Sequence, residues 1–83
     1  MPTDEQSITL RVKNDGDHPL VILLEPWAHE IPVQPGTDVN IVESNGQPDQ
    51  AIDIFVKDGV VTVWARDGAL LDAVKDGKSL IYR

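Results

Sequence analysis

The residues best able to do chemistry in this chain are crowded into positions 23–36, which read LLEPWAHEIPVQPG. Two carboxylates, an indole and an imidazole fall within six residues there, as Glu25, Trp27, His29 and Glu30. A carboxylate and an imidazole can bind a divalent cation or move a proton. An indole can hold a ligand ring or a cation. One hypothesis for this stretch is therefore a small-molecule or metal site.

The same residues have a structural interpretation in a β-strand. Alternation along a strand places Trp27 and His29 on one face and Glu30 on the other. Pro32 cannot donate a hydrogen bond to a neighbouring strand, which favours an edge position, and Pro26 marks the end of the preceding strand. Trp27 would then cap the core at a corner, and His29 would cover its rim. Because two histidines without further ligands rarely form a metal site, we favour this interpretation.

Other kinds of chemistry find little support. The chain has no cysteine, which excludes thiolate metal sites and disulfides. None of the serines lies in a Gly-x-Ser-x-Gly elbow, so a Ser–His pair stays open but unsupported. The glycines are isolated in turn contexts, unlike those of a phosphate-binding loop. Residues 14–17, Asn-Asp-Gly-Asp, lack the distal glutamate of a calcium loop and are expected to serve a turn. We expect no catalytic residue, no cofactor and no metal ion.

The remaining aromatic residues are interpreted first as packing residues. Trp64 lies on a predicted strand, where a lone tryptophan packs in a core or on a half-exposed sheet. Its functional alternative is an anchor for a partner or a platform for a ligand. Phe55 and Tyr82 are expected to be packing residues.

Length and composition predict one ordinary globular domain. The chain has 83 residues, of which 41% are apolar and 25% are charged, which leaves room for one core. Residues 1–5 are polar and acidic and are expected to be disordered. The longest apolar run, residues 20–24, is far shorter than the ~20 residues of a membrane helix. We expect a cytoplasmic protein that does not bind membranes.

The charge balance is acidic. Fourteen acidic residues against seven basic ones give a net charge of −7. This surface would repel a nucleic-acid backbone, so no nucleic-acid partner is expected. The charge favours solubility first and a basic partner second.

Turn signals recur at regular intervals in the second half of the chain. A basic residue followed by Asp-Gly occurs at residues 57–59, 66–68 and 75–77. Asp-Gly between apolar runs predicts two-residue hairpin turns, because type I′ turns need positive φ at both central residues. In the first half, Pro35-Gly36 predicts a type II turn.

The segments between these turns predict short strands. We place them at residues 6–13, 20–24, 28–33, 38–43, 51–57, 60–66, 69–75 and 78–83. Residues 69–75 could also form a short helix, but flanking turns favour a strand. Residues 43–50 predict a loop that lets the chain change sheets. The fold class is therefore all-β, a small antiparallel β-sandwich or barrel of seven to eight short strands.

Two motifs carry a resemblance. Residues 23–27, Leu-Leu-Glu-Pro-Trp, followed by Pro35-Gly36-Thr37, resemble a stretch of small uncharacterised bacterial all-β proteins. The order of an Asn-Asp-Gly-Asp turn, an apolar strand and Pro-Gly is similar to immunoglobulin-like and cupredoxin-like sandwich modules over residues 8–66. The resemblance implies a sandwich and carries over no activity. The cupredoxin copper ligands have no matching positions in this chain.

These observations favour a non-enzymatic module that binds a protein partner or self-associates. An exposed edge strand would serve for pairing, with Trp27 or Trp64 as anchor. The first alternative is a small-molecule or metal-binding protein with a rim site at Glu25, Trp27 and His29, joined by Glu30. The second is an acidic protein that binds the basic surface of a partner.

Overall fold

The computed structural model describes residues 7–81, which form an all-β fold without a helix. Eight strands follow in chain order: β1 (Ile8–Lys13), β2 (Leu20–Glu25), β3 (His29–Val33), β4 (Asp38–Ser44), β5 (Asp53–Lys57), β6 (Val60–Trp64), β7 (Leu70–Lys75) and β8 (Lys78–Ser79). The strand predicted at residues 69–75 is confirmed. The disorder expected for residues 1–5 and the packing role expected for Tyr82 lie outside the described residues.

The strands form two four-stranded sheets, so the fold is a sandwich and not a closed barrel. The first sheet has the order β1-β4-β7-β8, and the second has the order β3-β2-β6-β5. All pairs are antiparallel except β2 and β6, which run parallel. That pair departs from the antiparallel pattern expected throughout. Origin in different halves of the chain does not by itself dictate this direction, because β4 and β7 also come from different halves and pair antiparallel.

Each half of the chain supplies two strands to each sheet. Strands β1 and β4 join β7 and β8 in the first sheet, and the β2–β3 hairpin joins the β5–β6 hairpin in the second. Residues 45–52 connect the halves and carry the chain from one sheet to the other, as the sequence predicts. The two seams between the halves are therefore the β4–β7 and β2–β6 pairs.

The core lies between the sheets and is built from alternate strand positions. Because successive side chains point to opposite faces, every second apolar residue of the central strands is buried. The core residues are Ile22, Leu24, Ile31, Val33, Val39, Ile41, Val63, Leu71 and Ala73. β2 lies centrally in the second sheet, and Trp27 packs against the edge of this core.

Two of the three Asp-Gly turns are the predicted hairpins. Asp58-Gly59 and Asp76-Gly77 both have positive φ at each position, as a type I′ turn requires. The third turn is different, because at Asp67-Gly68 only the glycine has positive φ, at 76°. There the chain crosses from β6 in the second sheet to β7 in the first. The prediction of a hairpin at this position is wrong, since the dipeptide also suits a type II corner.

The turns of the first half are fixed by local hydrogen bonds. At Pro35-Gly36, the Thr37 N–H donates to the Gln34 carbonyl at 3.1 Å and Gly36 has φ 78°, so the type II turn is confirmed. Asn14 is buried in the loop after β1. Its amide donates to the carbonyls of His18 and Val33, at 2.7 and 3.0 Å. The side chain that serves this turn is thus the asparagine.

A buried ion pair joins the two sheets at one end of the sandwich. The Arg66 Nε and Nη2 groups donate to Glu43 Oε1 at 2.9 and 2.6 Å. The Arg66 backbone N–H donates to Oε2 of the same carboxylate at 3.0 Å. Arg66 Nη1 also donates to the Gln50 carbonyl at 3.2 Å. Both side chains are almost completely buried, so full pairing is what makes their burial tolerable.

Candidate functional site

The rim residues Trp27 and His29 lie together, but strand alternation does not place them, because Trp27 belongs to a turn at residues 26–28 in which Ala28 has φ 59°. Their rings are stacked with centroids 6.4 Å apart and planes inclined by 20°. β3 is an edge strand, and His29 is half-buried opposite Leu24 on its inner side. The contact covers the edge of the core with aromatic surface.

The carboxylates of the opening stretch do not converge on His29. Glu25 follows the buried Leu24, so alternation places it on the outer face, where Glu30 also lies beside Leu23. Glu25 Oε1 accepts a hydrogen bond from the Ala28 N–H at 3.1 Å, which holds the turn between β2 and β3. Within residues 7–81, no three histidine or acidic side chains are grouped closely enough to hold a metal ion.

Strand β5 is exposed along its whole length. Ile54, Phe55 and Val56 are 49%, 56% and 74% exposed. The packing role expected for Phe55 is therefore wrong. β5 pairs with β6 alone, and neither of its faces is buried, so the first sheet does not cover it.

The outer face of the second sheet is apolar beside this strand. Trp64 on β6 is 41% exposed. The strand register places Glu25 on one side of Trp64 and Asp53 on the other. One row along, Thr62 lies between Leu23 and Phe55. An exposed indole thus stands between two carboxylates, with a phenylalanine and a leucine in the neighbouring row.

We call this group the Trp64 face: Leu23, Glu25, Asp53, Phe55, Thr62 and Trp64. Its side chains share the outer surface of β2, β6 and β5, because cross-strand partners point to the same side of a sheet. Carboxylates attract cations, and an indole face attracts them further. The arrangement can therefore hold a cationic side chain against an apolar surface.

No family model matches this chain, and no curated protein or solved structure is detectably similar to it. Within the described part of the chain, no helix has the length and apolar character needed to cross a membrane.

The clearest electrostatic perturbation lies on the other sheet. Arg11 donates to Asp38 Oδ2 through Nε and Nη2, at 2.8 and 2.6 Å. Lys75 Nζ approaches Asp38 Oδ1 at 3.5 Å. These hydrogen bonds and the two positive charges lower the pKa of the Asp38 carboxyl, with the Arg11 hydrogen bond as the largest cause. The cluster ties β1, β4 and β7 together at one end of the first sheet.

Sequence reasoning singled out Trp64 and Glu25 but did not connect them, and it missed Phe55 and Asp53. A signal for β5 was present, because Ile54-Phe55-Val56 is apolar at three successive positions and so apolar on both faces. A single-sided strand would alternate. The parallel β2–β6 pair, which brings Glu25 beside Trp64, has no local sequence signal.

Proposed function

We propose that this protein is a non-enzymatic binding module that engages a basic segment of a protein partner through the Trp64 face. The observation that carries the proposal is the exposed Trp64 between Glu25 and Asp53 on an apolar sheet surface. Tryptophan anchors that become desolvated supply much of the binding energy in protein interfaces. The flanking carboxylates favour lysine or arginine at the contact point.

The overall charge supports the same class of partner. A net charge of −7 steers basic surfaces toward the protein and repels acidic ones. Steering of this kind raises the association rate and is screened by salt. A basic segment with an apolar residue beside its cation would satisfy both the carboxylates and the Phe55 and Leu23 surface.

The rim around Trp27 and His29 is a weaker candidate for this role. The two rings stack on each other, and Trp27 packs against the core. Glu25 lies on the opposite side of the sheet from His29. This geometry favours a structural role for the rim.

The proposal can be tested with a defined probe. The peptide acetyl-Arg-Leu-Arg-Leu-Arg-amide is titrated into the protein while the two indole N–H signals are followed by NMR. We expect the Trp64 signal to shift in a saturable way and the Trp27 signal to stay in place. The shift should weaken as salt is raised from about 50 to 300 mM, because the carboxylate contacts are exposed.

Matched variants distinguish binding at the Trp64 face from attraction of the peptide by the overall negative charge of the protein. Trp64→Ala should abolish saturable binding, and Glu25→Gln should weaken it more than Asp49→Asn, which removes one exposed acidic charge elsewhere. Equal losses for Glu25→Gln and Asp49→Asn would contradict a localised site. Unchanged binding by a folded Trp64→Ala variant would contradict the Trp64 anchor.

A further inference from the structure

The sandwich has four edge strands in its described residues, and they differ in how they are protected from pairing. β3 carries Pro32, which cannot donate to another strand. β8 is two residues long. β1 carries Lys13 at its end, whereas Arg11 is paired with Asp38 of β4. Short length, proline and positive charge are the usual ways in which proteins blunt an edge.

β5 has none of these protections in its centre. Its sequence is Asp-Ile-Phe-Val-Lys, with three apolar residues between two opposite charges. The apolar residues are exposed on both faces, so water covers them in the single chain. Such an edge is a template for pairing with another strand.

The turn between β5 and β6 determines which residues of β5 direct their backbone N–H and C=O groups toward β6 and which direct them toward the free edge. The two-residue Asp58-Gly59 turn is type I′, so the residues that flank it, Lys57 and Val60, form a hydrogen-bonded pair. Polar backbone groups alternate in direction along an antiparallel strand. The N–H and C=O groups of Ile54 and Val56 therefore point to the free edge, and those of Phe55 point to β6.

The free backbone groups of Ile54 and Val56 match those of a second copy of β5 in one antiparallel register. Antiparallel pairing about a two-fold axis at Phe55 sets Ile54 opposite Val56 of the second copy. That pair exchanges two hydrogen bonds, and its symmetry mate exchanges two more. The same register sets Asp53 opposite Lys57 at both ends, where opposite charges stabilise a cross-strand pair.

We infer that this protein self-associates by pairing β5 with β5 of a second copy, antiparallel and centred on Phe55. The two second sheets then form one continuous sheet of eight strands, with the apolar side chains of the two β5 strands side by side across the new seam. The charges at the ends of the strand are self-complementary, which selects a second copy over an unrelated strand. The contact uses the edge, so it leaves the proposed Trp64 anchor on an outer surface.

Sedimentation equilibrium of the purified chain tests this inference at about 0.15 M salt, where repulsion between two acidic chains is screened beyond ~8 Å. A five-residue contact is small, so we expect a reversible dimer with a dissociation constant between about 1 µM and 1 mM. NMR spectra over the same concentrations should shift the β5 amide signals of Ile54 and Val56 more than those of β1 or β3.

Charge reversal supplies the decisive variants. Asp53→Lys and Lys57→Asp each place like charges together at both ends of the pairing, and each should weaken the homodimer at least about tenfold, or about 1.4 kcal/mol. An equimolar mixture of the two variants restores opposite charges and should form a heterodimer as strong as the original dimer. Asp15→Lys and Lys13→Asp make the same changes of net charge elsewhere and should leave the dimer in place.

Three results would overturn the inference. They are a monomer at about 1 mM chain, a dimer that both charge reversals leave unchanged, and a mixture that fails to pair. None of them bears on the Trp64 face, because peptide binding there is measured separately at concentrations at which the chain is monomeric. A monomer that binds the basic peptide would thus contradict self-pairing alone.

Discussion

At the scale of single residues, the buried pair of Glu43 and Arg66 is the most consequential feature. The carboxylate uses both oxygens, one for the guanidinium and one for the Arg66 backbone N–H. The pair therefore fixes both a side chain and the course of the chain between the sheets. The pair is stabilising only when both partners are present, because removing one of them leaves a buried charge without compensation.

Replacement of either partner should be costly, and replacement of both should cost less than the sum. We expect Glu43→Leu and Arg66→Met each to lower the free energy of unfolding by about 3–5 kcal/mol. The double variant should recover part of that loss and retain the cost of the orphaned Arg66 N–H. Urea unfolding of the four proteins measures the coupling, and additive losses would show that the two charges act independently.

Gly46 is packed against the same pair. A Cβ at this position would lie 2.5 Å from Glu43 Oε1 and 2.7 Å from Arg66 Nε. Both atoms are held by hydrogen bonds and have little freedom to move, so Gly46→Ala should cost about 1–3 kcal/mol. Gly16→Ala is the matched control, because its nearest atom would be Asn14 Oδ1 at 3.4 Å. Equal urea midpoints for the two variants would contradict the crowding.

At the scale of elements, the Arg11–Asp38–Lys75 cluster joins three strands of the first sheet. Asp38 on β4 receives hydrogen bonds from β1 and from Lys75 of β7. Its pKa is lowered from the ordinary value of 3.8 by these contacts. A carboxyl with a lowered folded-state pKa stabilises the protein above its unfolded pKa, and that contribution is lost as the pH falls through the folded value.

The pH dependence of stability should reveal this contribution. The urea midpoint of the original protein should exceed that of Asp38→Asn by a constant amount from about pH 7 to pH 5. The difference should then shrink as the pH falls below 3.8 toward the lowered folded-state pKa. Because the groups are substantially exposed, we expect a small effect that is reduced by salt. A difference that persists at acid pH would contradict an electrostatic cause.

Turns and strands whose conformation depends on a few neighbouring residues could be predicted from the sequence. The type I′ turns at Asp58-Gly59 and Asp76-Gly77 follow from residues that tolerate positive φ. The edge position of β3 follows from Pro32. The hairpin predicted at Asp67-Gly68 was wrong, because an Asp-Gly dipeptide fits a corner between sheets as well as a hairpin.

At the scale of the whole molecule, the two-sheet fold could be predicted, whereas the pairing across the halves could not. Strand number and turn spacing are local properties, and they indicate a sandwich. The parallel β2–β6 pair depends on contacts between residues about 40 positions apart, such as Leu23 and Thr62. The Trp64 face exists only through that pair, so no local sequence pattern connects its members.

The division of each sheet between the two halves bears on how the chain is completed during synthesis. When residues up to 52 have left the ribosome, β2 and β4 each have one strand neighbour and one open side. Neither sheet is complete until β6 and β7 have been synthesised, because β6 pairs with the open side of β2 and β7 with that of β4. Chains are made at ~5–20 residues per second, so these edges stay unpaired for on the order of a second. The strand order therefore makes the edges of β2 and β4 the ones that are open to pairing with other strands during synthesis.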